Sequence, residues 1–495
     1  MIVNIVGDLN RSYAQTLCLI FFPGAKFAAT EQAGPDTPIV TYRITEGEEK
    51  VTASVRIEVG RTHATGRHSE PIALWDTKQK AIRIAAGTAL LSAGTKMFNM
   101  KPSWGILTGV RPAKVAISLI EEGGRTGCIQ RLRSDYLVTP KKAALVTDVA
   151  LREMEFFARY GSDTCSLYVY IPFCPTRCAY CSFVSYSTKR LLSLIPSYLD
   201  RLCEDIDRMG RVIRESGKRV VTIYIGGGTP SILTPRQLDQ LLTKLEQTFD
   251  TSSLDEYSIE AGRPDTITAE KLAVCAAHGI TRVSINPQTL NDDVLAAIGR
   301  KHSVKDFYDA FAIARSSGIA QINTDLIAGL PGDSFPSFSR TVDEIMDLAP
   351  ENVTVHTFCA KKSADILTSG ARIYSLTGGD TGTCIDYSQL RAKACGYEPY
   401  YLYRQKNSIG NFENVGFAKP GTEGLYNMFI MEEVHNIYAV GAGAVTKLTD
   451  EGKDKIKRIF MPKYPYEYLS MQDTPGAIEG IFDRIAGKDD KEDVR

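Results

Sequence analysis

The spacing of apolar and polar positions changes along the chain. Residues 39–58 alternate with a period of two around a Gly-Glu-Glu turn, which predicts a β-hairpin. Apolar residues recur at helical spacing at 77–98, and again at 139–160 after a Thr-Pro start. The Gly- and Pro-punctuated segment 101–115 predicts an ordered loop that enters another helix. Residues 1–160 are therefore expected to form an α+β domain with a helical connector.

Short β-rich runs separated by helical segments dominate the middle of the chain. Strands are predicted to begin at residues 166, 220, 256, 281, 320 and 352, with helices between them at about 195–216, 235–249, 268–278, 304–317 and 336–347. Repetition of strand then helix gives parallel strands, so the fold class is α/β. Six such strands predict a partial (β/α)6 barrel over residues 161–375, with its site at the carboxyl ends of the strands. Residues 376–495 are more irregular and predict a C-terminal accessory or cap region.

Length and composition agree with a multi-domain enzyme. The chain has 495 residues, of which 43% are hydrophobic and 23% are charged, as in ordinary globular proteins. Lys+Arg and Asp+Glu both number 58, so no overall positive field would attract nucleic acid or an anionic membrane. No apolar run of about 18 residues predicts a membrane span, and no signal peptide is evident at the start. We expect a cytoplasmic, monomeric protein without a nucleic-acid partner.

Three of the eleven cysteines lie close together after the first barrel strand. Cys174, Cys178 and Cys181 have the spacing Cys-x3-Cys-x2-Cys. Structural zinc is usually closed by four protein ligands, and no fourth Cys or His follows at a suitable spacing. Three thiolates can instead hold three irons of a [4Fe–4S] cluster and leave the fourth iron open. Three free thiols are the alternative, and the eight other cysteines are expected to be packed in the structure.

Glycines and polar residues follow the later strands. A Gly-Gly-Gly-Thr run after the second strand is either a tight turn or a place where backbone N–H groups approach a ligand. Glu260 ends the third strand. Its carboxylate could simply be solvated there, or it could accept hydrogen bonds from a ribose or an ammonium group. Gln288, Arg300 and Asp325 lie on or after later strands. Each of these residues alone carries little information about function.

Residues 168–181, YVYIPFCPTRCAYC, resemble the cluster loop of the radical S-adenosylmethionine (SAM) enzymes. In that family the open iron of a [4Fe–4S] cluster binds SAM, and electron transfer splits SAM into methionine and a 5′-deoxyadenosyl radical. The resemblance implies that the glycine run, with Gly227, Gly228 and Thr229, binds the methionine part of SAM. It also implies that Tyr180 contacts the adenine, and that a reduced flavodoxin- or ferredoxin-type protein donates the electron.

The order and spacing of the later motifs resemble the oxygen-independent coproporphyrinogen III dehydrogenases (oxidases) and their relatives. The similarity covers residues 165 to about 360 well and the C-terminal region loosely. Segments such as GILTGVRPAK and MEEVHNIYAVGAGAV are most similar to a long branch with an extra N-terminal domain. The resemblance places Cys359 near the same pocket. It implies SAM contacts at Tyr168, Glu260, Gln288, Arg300 and Asp325.

This resemblance implies a tetrapyrrole substrate. The implied reaction is oxidative decarboxylation of two coproporphyrinogen III propionates to vinyl groups, giving protoporphyrinogen IX in haem biosynthesis. Four substrate carboxylates require cations and an apolar or aromatic floor. Arg263, Lys361, Lys362, Arg404 and Lys406 are the candidate cations, and Tyr400, Tyr401 and Tyr403 are the candidate aromatic residues. Each of them could equally be an ordinary surface or packed residue.

Other functions stay open at this point. Tyr170 and Phe183 stand where the best-studied branch has His and Cys, so substrate handling could differ. A related branch carries haem and has a His-Asn-x-x-Tyr-Trp motif, but the corresponding stretch 426–431 has neither His nor Trp, and the sequence around His435 has a different spacing. Another radical SAM reaction, such as methyl transfer with ring opening of a tetrapyrrole, also fits the motifs. No residue is assigned as catalytic from the sequence.

Overall fold

Two β-sheets organise the part of the chain that the computed structural model describes. The described residues are 1–28, 34–181, 185–359, 379–405, 408–449, 456–471 and 476–488. One sheet has four strands and lies near the N terminus, and the other has eleven strands and contains the barrel. Within the described ranges, no helix has the length and apolar character that crossing a membrane requires.

The four-stranded sheet has its own hydrophobic core. Its strands, in spatial order, are β1 (Ile2–Val6), β2 (Ile39–Glu46), β3 (Lys50–Val59) and β4 (Thr62–Pro71). The helices are α1 (Arg11–Cys18) and α2 (Lys78–Phe98), and α2 packs against β3 and β4. The predicted hairpin and the helix that follows it are confirmed. Thr77 ends the loop before α2 and caps the helix by accepting a hydrogen bond from Lys80 N.

The helical connector packs against the barrel. It consists of α3 (Pro112–Ser134) and α4 (Pro140–Phe157), each of which begins with proline at its first turn, where a missing N–H costs least. Both helices contribute to the same apolar cluster as the barrel strands. The predicted loop before α3 and the predicted helix at 139–160 are confirmed.

The loop before α3 docks on the C-terminal strands. Trp104 Nε1 donates to Glu413 at 2.7 Å, and Lys142 Nζ lies 2.7 Å from the same carboxylate. Lys142 also contacts Asp386 at 3.0 Å. Burial raises the pKa of the Glu413 carboxyl, but Lys142 and Trp104 outweigh it and hold the pKa below its ordinary value. The buried carboxylate is therefore ionised and joins the loop, α4 and the sheet.

The predicted barrel is confirmed, as are its strands and helices. The parallel strands are β5 (Thr164–Ile171), β6 (Arg219–Gly227), β7 (Glu256–Glu260), β8 (Arg282–Ser284), β9 (Gln321–Ala328) and β10 (Asn352–Thr357). The helices between them are α5 (Lys189–Leu192), α6 (Ile195–Glu215), α7 (Pro235–Thr248), α8 (Ala269–Ala277), α9 (Asp292–Ala297), α10 (Val304–Ser316) and α11 (Phe335–Leu348). Because the strands are parallel, their carboxyl ends lie on one side of the sheet.

The C-terminal region is more regular than its sequence suggests, because its strands extend the barrel sheet at both edges. Its elements are α12 (Thr381–Ala394), β11 (Glu398–Arg404), β12 (Glu413–Ala418), α13 (Leu425–Glu432), β13 (Asn436–Val440), β14 (Val445–Thr449), β15 (Ile456–Phe460), α14 (Pro465–Ser470) and α15 (Ala477–Ile485). Strand order is β11-β12-β10-β9-β8-β7-β6-β5-β13-β14-β15. β13 runs parallel to β5 and is a seventh parallel strand, which the sequence pattern did not reveal. All five of its residues are buried, so it lacks the alternation that marks a half-exposed strand.

Candidate active site

The three clustered cysteines lie on the loop that leaves β5, and all three are partly exposed. Cys174 N donates to Tyr186 O at 3.0 Å, and Cys181 N donates to Cys178 O at 3.1 Å, so the backbone fixes both ends of the loop. The Thr229 hydroxyl donates to Cys174 Sγ at 3.3 Å. Burial raises the pKa of the Cys174 thiol, and the Thr229 hydrogen bond opposes that increase.

The glycine run forms the turn that leaves β6 and touches the start of the cysteine loop. Gly228 N donates to Ile171 O at 2.7 Å, and Thr229 N donates to Phe173 O at 2.8 Å. A Cβ atom on Gly228 would lie 2.6 Å from Phe173 O, which is too close for any side chain. Glycine at this position is therefore required by contact between two backbone segments, whatever ligand the turn also binds.

Arg263 lies against the cysteine loop. Its Nη1 is 3.6 Å from Cys178 Sγ, its Nη2 donates to Thr176 Oγ1 at 3.0 Å, and an ion pair with Asp265 at 3.0 Å holds the guanidinium in place. The side chain is buried. The structure therefore corrects its prediction as a substrate cation, because all of these contacts commit the guanidinium to the loop and to Asp265.

Arg300 joins the cysteine loop to the ends of two neighbouring strands. Its Nη2 donates to the Tyr180 hydroxyl at 3.1 Å, and its Nη1 donates to the carbonyl oxygens of Gly262 at 3.0 Å and Asn286 at 3.3 Å. The sequence predicted that Tyr180 and Arg300 belong to one site, although they are far apart in the chain. The structure brings them into direct contact.

Glu260 lies at the end of β7, above a stack of tyrosines inside the barrel. The Tyr224 hydroxyl donates to Glu260 Oε1 at 2.5 Å. Tyr224 stacks on Tyr426 with ring centroids 4.4 Å apart, and Tyr168 stacks on Tyr426 at 5.7 Å. Burial raises the pKa of Glu260 to about 7, and the Tyr224 hydrogen bond opposes that increase. Tyr168, a predicted SAM contact, is thus part of the wall beneath Glu260.

Asp325 lies on β9 and is held from several sides. Its backbone N–H donates to Asn286 Oδ1 at 3.1 Å, and its carbonyl oxygen accepts from Gln288 N at 3.1 Å. Asn323 Nδ2 donates to Asp325 Oδ1 at 2.9 Å, and His356 Nε2 lies 3.7 Å from Oδ2. Burial raises the pKa of the Asp325 carboxyl, but His356 and Asn323 outweigh burial, so its pKa lies below the ordinary value. Gln288 has a left-handed backbone with φ 71°, a strained conformation that these backbone bonds maintain.

His356 is the site residue that sequence reasoning missed. It follows Asn352 and Thr354 on β10 with a period of two, while Val353 and Val355 between them are fully or almost fully buried. This alternation puts the polar residues on the face that Asp325 shares. The alternation of polar residues and valines from Asn352 to His356 was the signal that could have found it.

The three candidate aromatic residues on β11 have different surroundings. The Tyr403 hydroxyl lies 3.2 Å from His356 Nδ1, next to the site. Cys359 is close enough to Tyr403 to affect the pKa of its phenol. Tyr400 and Tyr401 are almost fully buried and pack against each other with ring centroids 4.8 Å apart. Tyr403 is therefore the member of this group that the structure brings next to His356.

Arg404, another predicted substrate cation, supports a loop instead. Its Nη1 donates to Leu107 O at 2.6 Å, its Nη2 donates to Asn411 O at 3.2 Å, and its guanidinium lies over the Trp104 ring at 5.3 Å. Burial lowers the pKa of Arg404 to about 10. The prediction is corrected because these contacts occupy the guanidinium. Lys361, Lys362, Lys406 and Phe183 lie outside the described residues.

Tyr170, which replaces a family histidine, is buried beside the turn that follows β13. Its carbonyl oxygen accepts from the Tyr198 hydroxyl at 2.7 Å. Gly441 has φ 101°, and a Cβ there would lie 2.5 Å from Tyr170 O. Gly441 therefore allows the turn after β13 to pass directly against Tyr170, near the end of β5 and just before the cysteine loop.

The donor set of the loop fits an iron–sulfur cluster better than a single metal ion. Among the residues that the structure describes, no three His, Cys, Asp or Glu side chains are close enough to ligate one ion. A [4Fe–4S] cluster takes its thiolates on different irons, so its ligands need not converge on one point. The positive charge of Arg263 and the hydroxyl of Thr229 next to the sulfur atoms favour thiolates.

Comparison with known proteins agrees with this geometry. The Radical SAM superfamily model matches residues 168–345. The Oxygen-independent coproporphyrinogen-III oxidase-like protein HemZ of Bacillus subtilis is 35% identical over 478 residues, which cover 94% of each chain. This chain belongs to the coproporphyrinogen-III oxidase-like family of radical SAM proteins. Radical SAM proteins use a [4Fe–4S] cluster and SAM as cofactors.

Two further relatives bear on this radical SAM protein. The Heme chaperone HemW of Bacillus subtilis is 30% identical over 280 residues, which are 56% of this chain and 70% of that protein. The structure of coproporphyrinogen III oxidase (HemN) from Escherichia coli, described as a radical SAM enzyme, matches with a TM-score of 0.50 and 22% identity. It covers 66% of this chain and 73% of the HemN chain. The HemN similarity establishes a shared fold.

Proposed function

We propose that this radical SAM protein oxidatively decarboxylates two propionates of coproporphyrinogen III to vinyl groups, giving protoporphyrinogen IX. In each half of the reaction a propionate loses a β-hydrogen atom to the 5′-deoxyadenosyl radical, then carbon dioxide, then one electron to a one-electron acceptor. One observation carries the proposal: similarity to HemZ, named as coproporphyrinogen-III oxidase-like, extends over 94% of both chains. It therefore includes the regions outside the radical SAM domain.

We assign Cys174, Cys178 and Cys181 as the cluster ligands. When bound, the reduced cluster supplies the electron that cleaves SAM to methionine and the 5′-deoxyadenosyl radical. Arg263, at 3.6 Å from Cys178 Sγ, places a positive charge beside the thiolates, and Thr229 donates to Cys174. Both contacts stabilise sulfur in its anionic form.

We assign the surrounding residues to SAM. We assign the turn of Gly227, Gly228 and Thr229 to the methionine part of SAM because the turn lies next to the cysteine loop, although the N–H groups of Gly228 and Thr229 already donate to Ile171 and Phe173. Glu260 and Asp325 are acceptors for its ammonium group and ribose hydroxyls, since an ionised carboxylate accepts up to four hydrogen bonds. The remaining SAM residues are Tyr168, Tyr180, Gln288 and Arg300.

Anaerobic reconstitution tests the proposal directly. The protein is loaded with iron and sulfide, then incubated with SAM, a reductant such as reduced flavodoxin, and coproporphyrinogen III. We expect 5′-deoxyadenosine to form and the mass of the porphyrinogen to fall by two molecules of carbon dioxide and four hydrogen atoms. Formation of 5′-deoxyadenosine with unchanged porphyrinogen would refute the substrate and leave the radical chemistry intact. A methylated linear tetrapyrrole would refute the decarboxylation in favour of ring opening.

A haem chaperone is the second candidate, favoured by the similarity to HemW. The two stretches that were compared with the haem-carrier motif are both largely buried in the structure. Tyr426, at the start of the stretch that corresponds to the haem-carrier motif, is 5% exposed and stacks on Tyr224. His435 is buried, with Nε2 2.8 Å from Ser166 Oγ and Nδ1 3.2 Å from Thr164 Oγ1. A stable one-to-one complex in a haem titration, without consumption of coproporphyrinogen III, would favour the chaperone.

A further inference from the structure

His356 occupies a defined position among the groups of the proposed SAM site. It is the last but one residue of β10, and its side chain is 27% exposed. The charged groups near it are Asp325, at 3.7 Å, and the more distant Glu260, whose pKa the imidazole influences.

Tyr403 and Asp325 face the two ring nitrogens of His356. The Tyr403 hydroxyl lies 3.2 Å from Nδ1, and Nε2 lies 3.7 Å from Asp325 Oδ2. When the Tyr403 hydroxyl donates to Nδ1, or when both ring nitrogens carry protons, Nε2 holds a proton and can donate toward Asp325. The three side chains therefore form a line from Tyr403 through His356 to Asp325.

The two oxygens of Asp325 have different environments. Oδ1 accepts a hydrogen bond from Asn323 at 2.9 Å, Oδ2 faces the imidazole of His356 at 3.7 Å, and the Thr354 hydroxyl also hydrogen-bonds to the carboxylate. A carboxylate with one oxygen anchored still rotates about its Cβ–Cγ bond unless the other oxygen is also directed. His356 lies where it can direct Oδ2 while leaving lone pairs on both oxygens for a ligand.

We infer that His356 is a positioning residue that orients the Asp325 carboxylate toward the ribose hydroxyls of SAM, with Tyr403 holding the opposite side of the imidazole ring. This inference rests on the proposed assignment of Asp325 to SAM. It concerns binding of the nucleoside part of SAM and is independent of the porphyrinogen.

The experiment compares two substitutions at His356. His356→Ala removes the donor, and His356→Gln keeps a side-chain N–H that can reach the carboxylate. One charge-assisted hydrogen bond corresponds to about a tenfold change in affinity. We expect His356→Ala to weaken SAM binding about tenfold in the cluster-loaded protein, and His356→Gln to restore most of that loss. Calorimetry with S-adenosylhomocysteine and the cluster-free protein should rank the affinities of the variants in the same order. The ribose contact needs no cluster.

His278→Ala is the matched control. His278 is also paired with carboxylates, Asp239 at 3.0 Å and Glu246 at 2.8 Å, but these lie on α7 outside the barrel. We expect the His278→Ala variant to bind SAM and S-adenosylhomocysteine as the unmodified protein does. Equal affinities for His356→Ala and His278→Ala would overturn the inference, as would a His356→Gln variant no better than His356→Ala.

Kinetics separate positioning from other roles. At saturating SAM we expect 5′-deoxyadenosine formation by His356→Ala to keep kcat within about twofold while KM for SAM rises. A fall in kcat with unchanged KM would contradict positioning. If coproporphyrinogen III proves not to be the substrate, the proposed reaction fails, yet the nucleoside affinities still decide the role of His356.

Discussion

A pair of buried carboxyl groups makes the stability of this protein depend on pH in an unusual direction. Glu153 on α4 and Glu432 at the end of α13 are both almost fully buried, and none of their four carboxyl oxygens has a hydrogen-bond partner among the described residues. Burial raises the pKa of Glu432 to about 7, although Arg111 and Lys114 oppose that increase. Burial and the neighbouring Glu432 together raise the pKa of Glu153 as well. The folded chain therefore holds protons here that the unfolded chain releases.

The sign and size of the effect follow from this difference. As pH rises above 4.5, the ordinary pKa of a Glu carboxyl, Glu432 loses its proton in the unfolded chain but keeps it in the folded chain. The free energy of unfolding therefore falls until the pH passes the folded-state pKa of about 7, and then levels off. Each unit between the two values corresponds to about 1.4 kcal/mol, giving a loss on the order of 3 kcal/mol for Glu432. Glu432→Gln stays neutral at every pH. It should be more stable than the unmodified protein at pH 8 by on the order of 2–3 kcal/mol, and equal to it near pH 4.5.

Urea unfolding between pH 4.5 and pH 8, followed by circular dichroism, measures this difference as a shift in midpoint. Glu433→Gln is the matched control at the adjacent position. Glu433 lies between Arg111, Lys447 and Arg458, and its pKa is below the ordinary value. The control should therefore be less stable than the unmodified protein at pH 8. If Glu432→Gln keeps the pH dependence of the unmodified protein, the buried acid pair is not its cause.

Three further substitutions test the site and its support. Cys174→Ala should abolish cluster binding and SAM cleavage, because two thiolates cannot hold the cluster securely, and full iron and sulfide content in this variant would disprove the ligand assignment. Gly228→Ala should displace the cysteine loop and lower the cluster content, since the added Cβ would lie 2.6 Å from a loop carbonyl. Gly123→Ala is the control: its added Cβ would have no neighbour within 4 Å, and the variant should bind the cluster normally. Lys142→Met leaves the Glu413 carboxylate buried without its main cation and should lower the free energy of unfolding by about 3–5 kcal/mol. The loss should be seen as a lower thermal midpoint, and an unchanged midpoint would contradict the role of this ion pair.

Local sequence was enough to predict much of the barrel. The six strands and the helices between them follow from apolar runs and helical spacing, which are properties of neighbouring residues. Cysteine spacing likewise predicted one loop with three thiols, because all three residues lie within eight positions. The parallel order then implied that Glu260, Arg300 and Asp325 share one end of the sheet, and the structure brings them there.

Pairing between distant segments could not be read from the sequence. β13 joins β5 across some 270 positions of chain, and its five buried residues carry no alternation to indicate its place. Arg263 and Arg404 were candidate substrate cations by residue type alone, and only packing shows that the first contacts the cysteine loop and the second contacts the backbone near Trp104.

The sequence by itself determined the parallel strands, the cysteine loop and the family, since periodicity and short spacing are local. The tertiary structure alone decided the contacts that give these residues their chemistry. His356 on β10 gained a partner in Asp325 on the adjacent strand β9 and another in Tyr403 on β11, which lies beyond β12 in the same sheet, and such contacts act only over a few ångströms. No pattern within one strand reports such a distance.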